Sequence, residues 1–219
     1  MLTITDLLDL NHTIAAKLFE GKTYPWEVLP EIGDFIVALG NTLPADEFDH
    51  PRENVWIAKD ATVFASAYIN GPCIIDHGAE IRQCAFIRGN ALVGKNAVVG
   101  NSCELKNAIL FDHVQVPHFN YVGDSVLGYK SHMGAGSITS NVKSDKTLVV
   151  IKSKDEQIPT NRKKVGAMLG DFVEVGCNSV LNPGTVIGRN SQVYPTSCVR
   201  GVIPANTIHR NDGSLITKR

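Results

Sequence analysis

Aliphatic residues recur every six positions from Ile57 through Val63, Ile69, Ile75, Ile81, Ile87, Val93, Val99 and Leu105, without a slip. Four residues after most of them stands a small one: Ala61, Ala67, Cys73, Ala79, Ala85, Ala91, Ala97 and Cys103. Amphipathic helices repeat at about 3.6 residues and strands at about 2, so neither accounts for a strict six. A hexapeptide β-helix does. Each hexad is a short strand and a corner, with the aliphatic side chain pointing into a prism and the small one fitting the tight interior at the turn. Three hexads close a coil of about 18 residues, and coils stack at about 4.8 Å, the ordinary inter-strand spacing.

The count stumbles after Lys106 and resumes one residue early at Leu110, Val116 and Val122, and another short step leads to Met133. A second unbroken run follows at Val175, Leu181, Ile187, Val193 and Val199, trailed by Ser179, Thr185, Ser191 and Ser197. The hexads predict an all-β domain over residues 51–205. Between them, over about 142–169, they vanish. LVVIK (148–152) reads there as one strand of an excursion that turns near Lys154–Glu156, and a surface loop of this length in a solenoid usually has a function. Residues 1–50 read as two helices. The first carries Leu7, Leu8, Leu10, Ile14 and Leu18 and stops at Gly21, and the second runs from near Pro25 to Gly40. Their expected role is to cap the open first coil, whose strand edges are otherwise unpaired. PADEFDHPREN (44–54) reads as a linker and residues 206–219 as a tail.

Composition removes several function classes. Formal charge is −1, from 21 basic and 22 acidic residues, so the basic excess of a sequence-independent nucleic-acid grip is missing. With 43% hydrophobic and 20% charged residues a packed core is expected rather than disorder. No apolar run approaches the roughly 18 residues of a membrane span. MLTITDLLDLNHT lacks a basic lead and a signal-type apolar stretch, and the expectation is a cytoplasmic protein without membrane or nucleic-acid partners. Cysteines 73, 84, 103, 177 and 198 are odd in number and contain no CxxC, against a disulfide framework or a zinc ribbon.

Two features carry chemistry. Arg88 and Lys106 are one coil apart, which predicts two cations stacked on one corner. They repel unless an anion such as a phosphate lies between them, and the alternative is a solvated surface pair. His118 lies in VPHFNYVGD just after the register break. Histidine is the natural general base near neutral pH, although a lone histidine in a β-protein is more often structural.

LKNAILFDHVQVPHFNYVGDSVLGYKSHMGAGSITSN (105–141) resembles the acetyltransferase domain of the bifunctional N-acetylglucosamine-1-phosphate uridylyltransferase/glucosamine-1-phosphate acetyltransferase family. The shared signature is Lys106, His118, Tyr121-Val122-Gly123-Asp124, Gly134-Ala135-Gly136-Ser137-Ile138-Thr139 and Asn141. The likeness spans roughly 55–205. KTYPWEVL (22–29) looks like the segment that joins the two domains in relatives, and NRKKVGAMLG (161–170) resembles a loop found in some of them. No Gly-rich nucleotide-binding start is present in these residues, so the chain looks like the β-helical half alone.

The resemblance implies a left-handed parallel β-helix and an N-acetyltransferase that moves acetyl from acetyl-CoA to an amino-sugar 1-phosphate, in nucleotide-sugar biosynthesis, with no metal required. His118 would be the general base, and Asn141 and Tyr121 would orient the amine and sugar. Tyr121 as a packing aromatic and Asn141 as a turn residue are equal alternatives. Arg88 and Lys106 would hold the sugar phosphate, with Lys143 or Lys146 as a further substrate lysine. Backbone N–H groups at Ala135 and Gly136 would meet the thioester oxygen, and Cys177 and Pro195 would line the CoA arm. The resemblance also implies a homotrimer with sites between subunits. The chain departs from the family at His132, where an asparagine is usual, and at the CoA-lining Cys177 and Pro195.

Two rival readings stand beside this one. His77, His113 and His118 have the spacing H-x35-H-x4-H, similar to the zinc ligands of the γ-class carbonic anhydrases, which are β-helices. A non-catalytic scaffold or regulatory subunit is the other, since fold does not imply function.

Overall fold

The computed structural model describes residues 1–218. The chain winds as the left-handed parallel β-helix expected from the hexads. Coil-to-coil pairs are parallel and in register, as at Ile57 on Ile75, Ile81 on Val99 and Leu181 on Val199. The inward aliphatic column is fully buried, from Ile75, Ile81 and Ile87 to Leu181 and Val199. Corners are turned by residues with positive φ stacked one coil apart, such as Gly78, Asn96 and His113, or Cys84, Ser102 and Phe119. The sharp reversal there needs the left-handed conformation, which glycine and asparagine adopt at least cost.

The short steps have a local cause. Glu104–Leu110 and Tyr121–Leu127 are single strands that run across a corner from the third face of the prism onto the first. Each loses one residue there, and the pairs Lys106 on Gly123 and Ala108 on Ser125 keep both strands aligned. The tightened corner holds Asn107 (φ 52°) and Asp124 (φ 48°), stacked and buried. His118, which the sequence associated with the break, lies instead at the opposite corner of the third face, because the strand that carries it, Gln115–His118, belongs to the second.

The first face is apolar on both sides. Its outward residues Ile74, Leu92, Ile109, Val126, Met168 and Val186 are as buried as the inward ones. The N-terminal segment seals this face, which corrects the expected position of the cap. It runs lengthwise along the prism, with Ile32–Gly40 over the strands Cys73–Ile75, Ala91–Val93 and Glu104–Leu110. Gly40 lies against the Trp56 ring, which a Cβ would approach to 2.4 Å. The first predicted helix is broken into Ile4–Leu7 and two short 3₁₀ turns, and the second begins only at Ile32. The reason is tertiary: backbone groups leave the helical ladder to bond the solenoid. Asp112 N–H donates to the His12 carbonyl (3.0 Å), Asp171 N–H to the Leu7 carbonyl (2.9 Å), and Asp9 N–H to the Asp171 carboxylate (2.8 Å).

Open edges are closed by strands instead. The expected linker contains Phe48–Arg52, antiparallel to Val55–Ala58, and the expected tail contains Thr207–His209, a solenoid strand, with Leu215–Thr217 folded back on it. Reversed strands satisfy the end coils without offering a parallel edge. The excursion forms the hairpin Val150–Lys152 with Gln157–Pro159, as LVVIK led us to expect. It ends earlier than expected, since Ala167–Leu169 already pairs with Tyr121–Leu127 and Thr185–Ile187. Among the described residues no helix is long and apolar enough to cross a membrane.

Asp76 sits under the N-terminal segment and the 44–54 stretch, fully buried, with one carboxylate oxygen lacking a partner among the described residues. Burial pushes its pKa above 3.8, outweighing the His77 N–H bond and the Lys95 charge. The folded state therefore binds this proton more tightly than the unfolded chain, and stability falls as pH rises through the raised value. We expect the stability of wild type minus that of Asp76→Asn to decline from pH 4 to pH 7 in urea melts. A flat or rising difference contradicts the assignment.

Candidate functional site

The third face is bounded by two corners, and each collects part of the residues read from the sequence. At the corner with the second face, His118, Ala135, Cys177 and Pro195 form one column. The inter-coil bonds fix it: Gly136 N–H donates to the His118 carbonyl (3.0 Å), Asn178 N–H to that of Ala135 (2.8 Å) and Thr196 N–H to that of Cys177 (2.8 Å). Asn211 Nδ2 then donates to the Pro195 carbonyl (2.9 Å). The four residues thus rise in successive coils, about 4.8 Å apart. The 42-residue step from Ala135 to Cys177 closes only because the excursion leaves and rejoins at another corner.

His118 is exposed, and its backbone is held by a residue the sequence reading passed over. Asn120 is buried, accepts from the His118 N–H (3.1 Å) and donates to the carbonyls of Gly134 (2.9 Å) and Ser137 (3.0 Å). A buried side-chain amide with these partners fixes the corner in one geometry. Of the two expected thioester donors, Gly136 spends its N–H on His118. That corrects the pair to Ala135, whose N–H has no protein acceptor among the described residues.

The corner with the first face carries charge. Arg88 and Lys106 are stacked one coil apart as expected, but neither awaits an anion to relieve the other. Arg88 Nη1 pairs with Glu104 Oε1 at 2.7 Å, and Lys106 Nζ lies 3.0 and 3.1 Å from the two oxygens of Asp124. Asp124 is 2% exposed and also accepts from Asn107 Nδ2 (3.0 Å) and Asn141 Nδ2 (2.6 Å). Asn141 further bonds the Tyr121 hydroxyl at 3.2 Å, so Lys106, Tyr121 and Asn141 are brought together around one carboxylate. Burial, then the Asp124 and Glu104 charges, raise the Tyr121 pKa and keep its phenol protonated.

Lys143 and Lys146 are not brought to this cluster. Lys143 pairs with Asp145 (3.3 Å) in an exposed turn that also holds Lys146, and Lys143 lies beside Asn182 and Arg200, further along the prism. The cations beside Lys106 are Arg162, Lys163 and Lys164, from the end of the excursion. Only the 161–170 loop likeness pointed there; no hexad places them.

The zinc spacing does not converge within the chain. His77 is bonded to Asp60 (3.0 Å) and Glu47 (3.2 Å), His113 stands edge-on to Tyr129, and both lie at the corner away from His118. Among the described residues no three acidic, histidine or cysteine side chains gather as a metal site. His132 faces out from the second face, bonded to Glu174 at 2.8 Å, and not toward the third.

Stacked hexad coils, with a histidine column on one edge of a face and a cation–carboxylate cluster on the other, define a hexapeptide-repeat solenoid protein with polar groups along both edges of one face. The chain belongs to the family described as the GMPPB C-terminal domain, whose model matches residues 69–212. It is 31% identical over 199 residues to the bifunctional protein GlmU of Methanococcus maripaludis, covering 90% of this chain and 48% of that protein. To the bifunctional sugar-1-phosphate nucleotidylyltransferase/acetyltransferase of Sulfurisphaera tokodaii it is 29% identical over 211 residues, covering 90% and 52%. The chain therefore spans about half the length of these relatives, and a third of another GlmU. Among solved structures it is similar to the acetyltransferase domain of PglB from Neisseria gonorrhoeae in complex with acetyl coenzyme A (16% identity, 73% of this chain and 55% of that one, TM-score 0.35). The polySia-specific acetyltransferase NeuO aligns at 11% identity, 76% and 88% coverage, and a TM-score of 0.46.

Replacing Asp124 leaves Lys106, Asn107 and Asn141 without their shared acceptor. Asp124→Ala is expected to cost about 3 kcal/mol in urea unfolding, at the low end for a broken buried pair because Lys106 keeps some solvent. Asp124→Asn should cost clearly less, since asparagine tolerates positive φ and keeps one acceptor oxygen. A negligible loss in Asp124→Ala would show that the carboxylate is not the anchor.

Proposed function

We propose that this chain transfers the acetyl group of acetyl-CoA to the amine of an amino-sugar 1-phosphate, with His118 as general base. The observation that carries the reading is the single column of His118, Ala135, Cys177 and Pro195, one residue per coil, along one edge of the third face. An extended pantetheine arm matches such a column, with its thioester at the His118 end. The acceptor then lies across the face, its polar groups toward Tyr121, Asn141, Lys106 and Arg88 on the other edge. The similarity to a bifunctional sugar-1-phosphate nucleotidylyltransferase/acetyltransferase supports the same chemistry.

In this reading neutral His118 accepts a proton from the acceptor nitrogen as its lone pair attacks the thioester carbonyl carbon. A C–N bond forms, the carbonyl electron pair moves to oxygen, and the Ala135 N–H donates to the developing oxyanion. Collapse re-forms the carbonyl and breaks the C–S bond, and the thiolate takes the proton from the imidazolium. The products are the acetamido sugar phosphate and free CoA thiol. Asn120 acts as a positioning residue, since it fixes the His118 backbone without facing the reacting atoms.

Assembly as a homotrimer belongs to the same proposal. Tyr68 and Phe86 stand exposed on the third face, an apolar surface that a neighbouring subunit would cover.

Thiol release from acetyl-CoA, measured over a panel of amino-sugar 1-phosphates, tests the reading. His118→Ala is expected to lower kcat by roughly 10²–10⁴, the usual loss for a general base, with little change in KM. Arg88→Ala should instead raise the acceptor KM. Unchanged turnover in the His118 variant removes the mechanism.

A further inference from the structure

The corner between the first and second faces lies one full face away from His118, and it carries two carboxylates, Asp76 and Asp112. Asp76 is fully buried. Its Oδ1 accepts from the His77 N–H at 2.8 Å, and its Oδ2 has no partner among the described residues. Asp112 stands two coils further on, and its Oδ1 accepts from the Lys95 N–H of the coil between them at 2.9 Å. Gly94 makes that reach possible, because a Cβ there would come within 2.8 Å of the same oxygen. Burial, opposed by the Lys95 N–H and reinforced by the Asp76 charge, raises the Asp112 pKa.

Both aspartates line a cavity of about 260 Å³ between this corner, the N-terminal segment and residues 43–48. Ile14, Leu43, Pro44 and Phe48 form its apolar wall, and the Phe48 ring stands edge-on to His77 with centroids 5.0 Å apart. Glu47 also lines the cavity but is bonded to His77 Nε2 at 3.2 Å, while His77 Nδ1 is bonded to Asp60 at 3.0 Å. The uncharged polar side chains there, Asn11 and Thr13, are engaged with Asp9 (2.8 Å) and the Ala15 N–H (3.1 Å). Asp76 and Asp112 thus face a single lysine, Lys95, and at least one negative charge is left in excess. A carboxylate kept from water without a partner is costly, and a bound cation offsets that cost with a charge-assisted hydrogen bond. A divalent metal ion needs several oxygen ligands, and among the described residues no three acidic, histidine or cysteine side chains converge to supply them. The apolar wall instead suits the alkyl part of an organic cation.

We propose that this cavity binds a small primary ammonium ligand, its charged head on Asp76 Oδ2 beside Asp112 and its alkyl chain along Ile14, Leu43, Pro44 and Phe48. The site is separate from the His118 column and does not depend on the acetyltransferase reading. Its walls come from three parts of the chain, the solenoid corner, the N-terminal segment and the 43–48 stretch, so the ligand ties the lateral cover to the coils beneath it.

The test uses the full chain as wild type, Asp76→Asn, Asp112→Asn and, as a matched charge removal at the exposed hairpin turn, Asp155→Asn. Thermal unfolding is followed in n-butylammonium chloride, titrated to about 50 mM against sodium chloride of equal ionic strength, and each shift is measured from that protein's own Tm. At ten times its Kd the ligand should raise the wild-type Tm by roughly 4 °C in a saturable way. Asp76→Asn should raise the Kd on the order of 10- to 100-fold, the cost of a hydrogen bond to a charged partner, and Asp155→Asn should leave it unchanged. Asp112→Asn, which keeps an acceptor for the Lys95 N–H, should weaken binding several-fold through the lost charge alone. The neutral isostere n-butanol should give no saturable rise. No saturable rise in wild type, equal shifts in wild type and both cavity variants, or an equal rise with n-butanol overturns the proposal. A rise that appears with magnesium or calcium chloride, is lost in Asp76→Asn and is absent with n-butylammonium makes the cavity a metal site and likewise overturns the ammonium assignment.

Discussion

The parallel backbone ladder between coils is the constraint on which everything else in this molecule rests. Neighbouring coils exchange N–H···O=C bonds in register, so residues one coil apart must stack in columns. Columns make the interior, because the inward aliphatic residues fall on one another and pack without water. Columns also order the surface, because His118, Ala135, Cys177 and Pro195, from coils far apart in sequence, arrive on one edge.

Departures from the ladder's regularity are where polar chemistry concentrates. Dropping one residue at the same corner in two successive coils carries two strands across it and buries Asn107 and Asp124. A buried carboxylate is costly unless it is paired and hydrogen-bonded. Lys106, Asn107 and Asn141 meet that need, and the result is a rigid polar edge rather than a set of mobile surface charges. The returning end of the excursion joins the same edge through the Asp124 backbone carbonyl. On the first face the opposite solution applies, where outward Ile74, Leu92, Ile109 and Val126 require a cover and the N-terminal segment supplies it. Each buried aliphatic side chain there contributes about 1.5–3 kcal/mol, which outweighs the helical regularity given up in residues 8–31.

How much was legible depended on whether a signal was periodic or needed a partner. The hexads located the inward column and the corner turns, and the one-coil spacing stacked Arg88 on Lys106. Their carboxylates escaped notice, since Glu104 and Asp124 look like ordinary surface acids until the corner turns them toward the cations. The outward apolar stripe was also in the sequence, at positions one coil apart from Trp56 to Val186, and reading it would have placed the N-terminal segment on a lateral face. The choice between Lys143 and Lys146 could not be made by spacing, because the excursion has no period to count along.

The sequence by itself determined the solenoid, its inward residues, the hairpin of the excursion and the likeness that singles out His118, because a strict period of six leaves one way to stack a chain. Only the tertiary structure decided which side chains meet across that stack. It set Asn120 behind His118, bonded the Gly136 N–H to the His118 carbonyl, gave Arg88 and Lys106 their own carboxylates, and laid Arg162–Lys164 over Asp124. The physical reason is that burial and hydrogen-bond satisfaction are properties of neighbours in space, and the neighbours that matter here come from different coils and from segments outside the repeat.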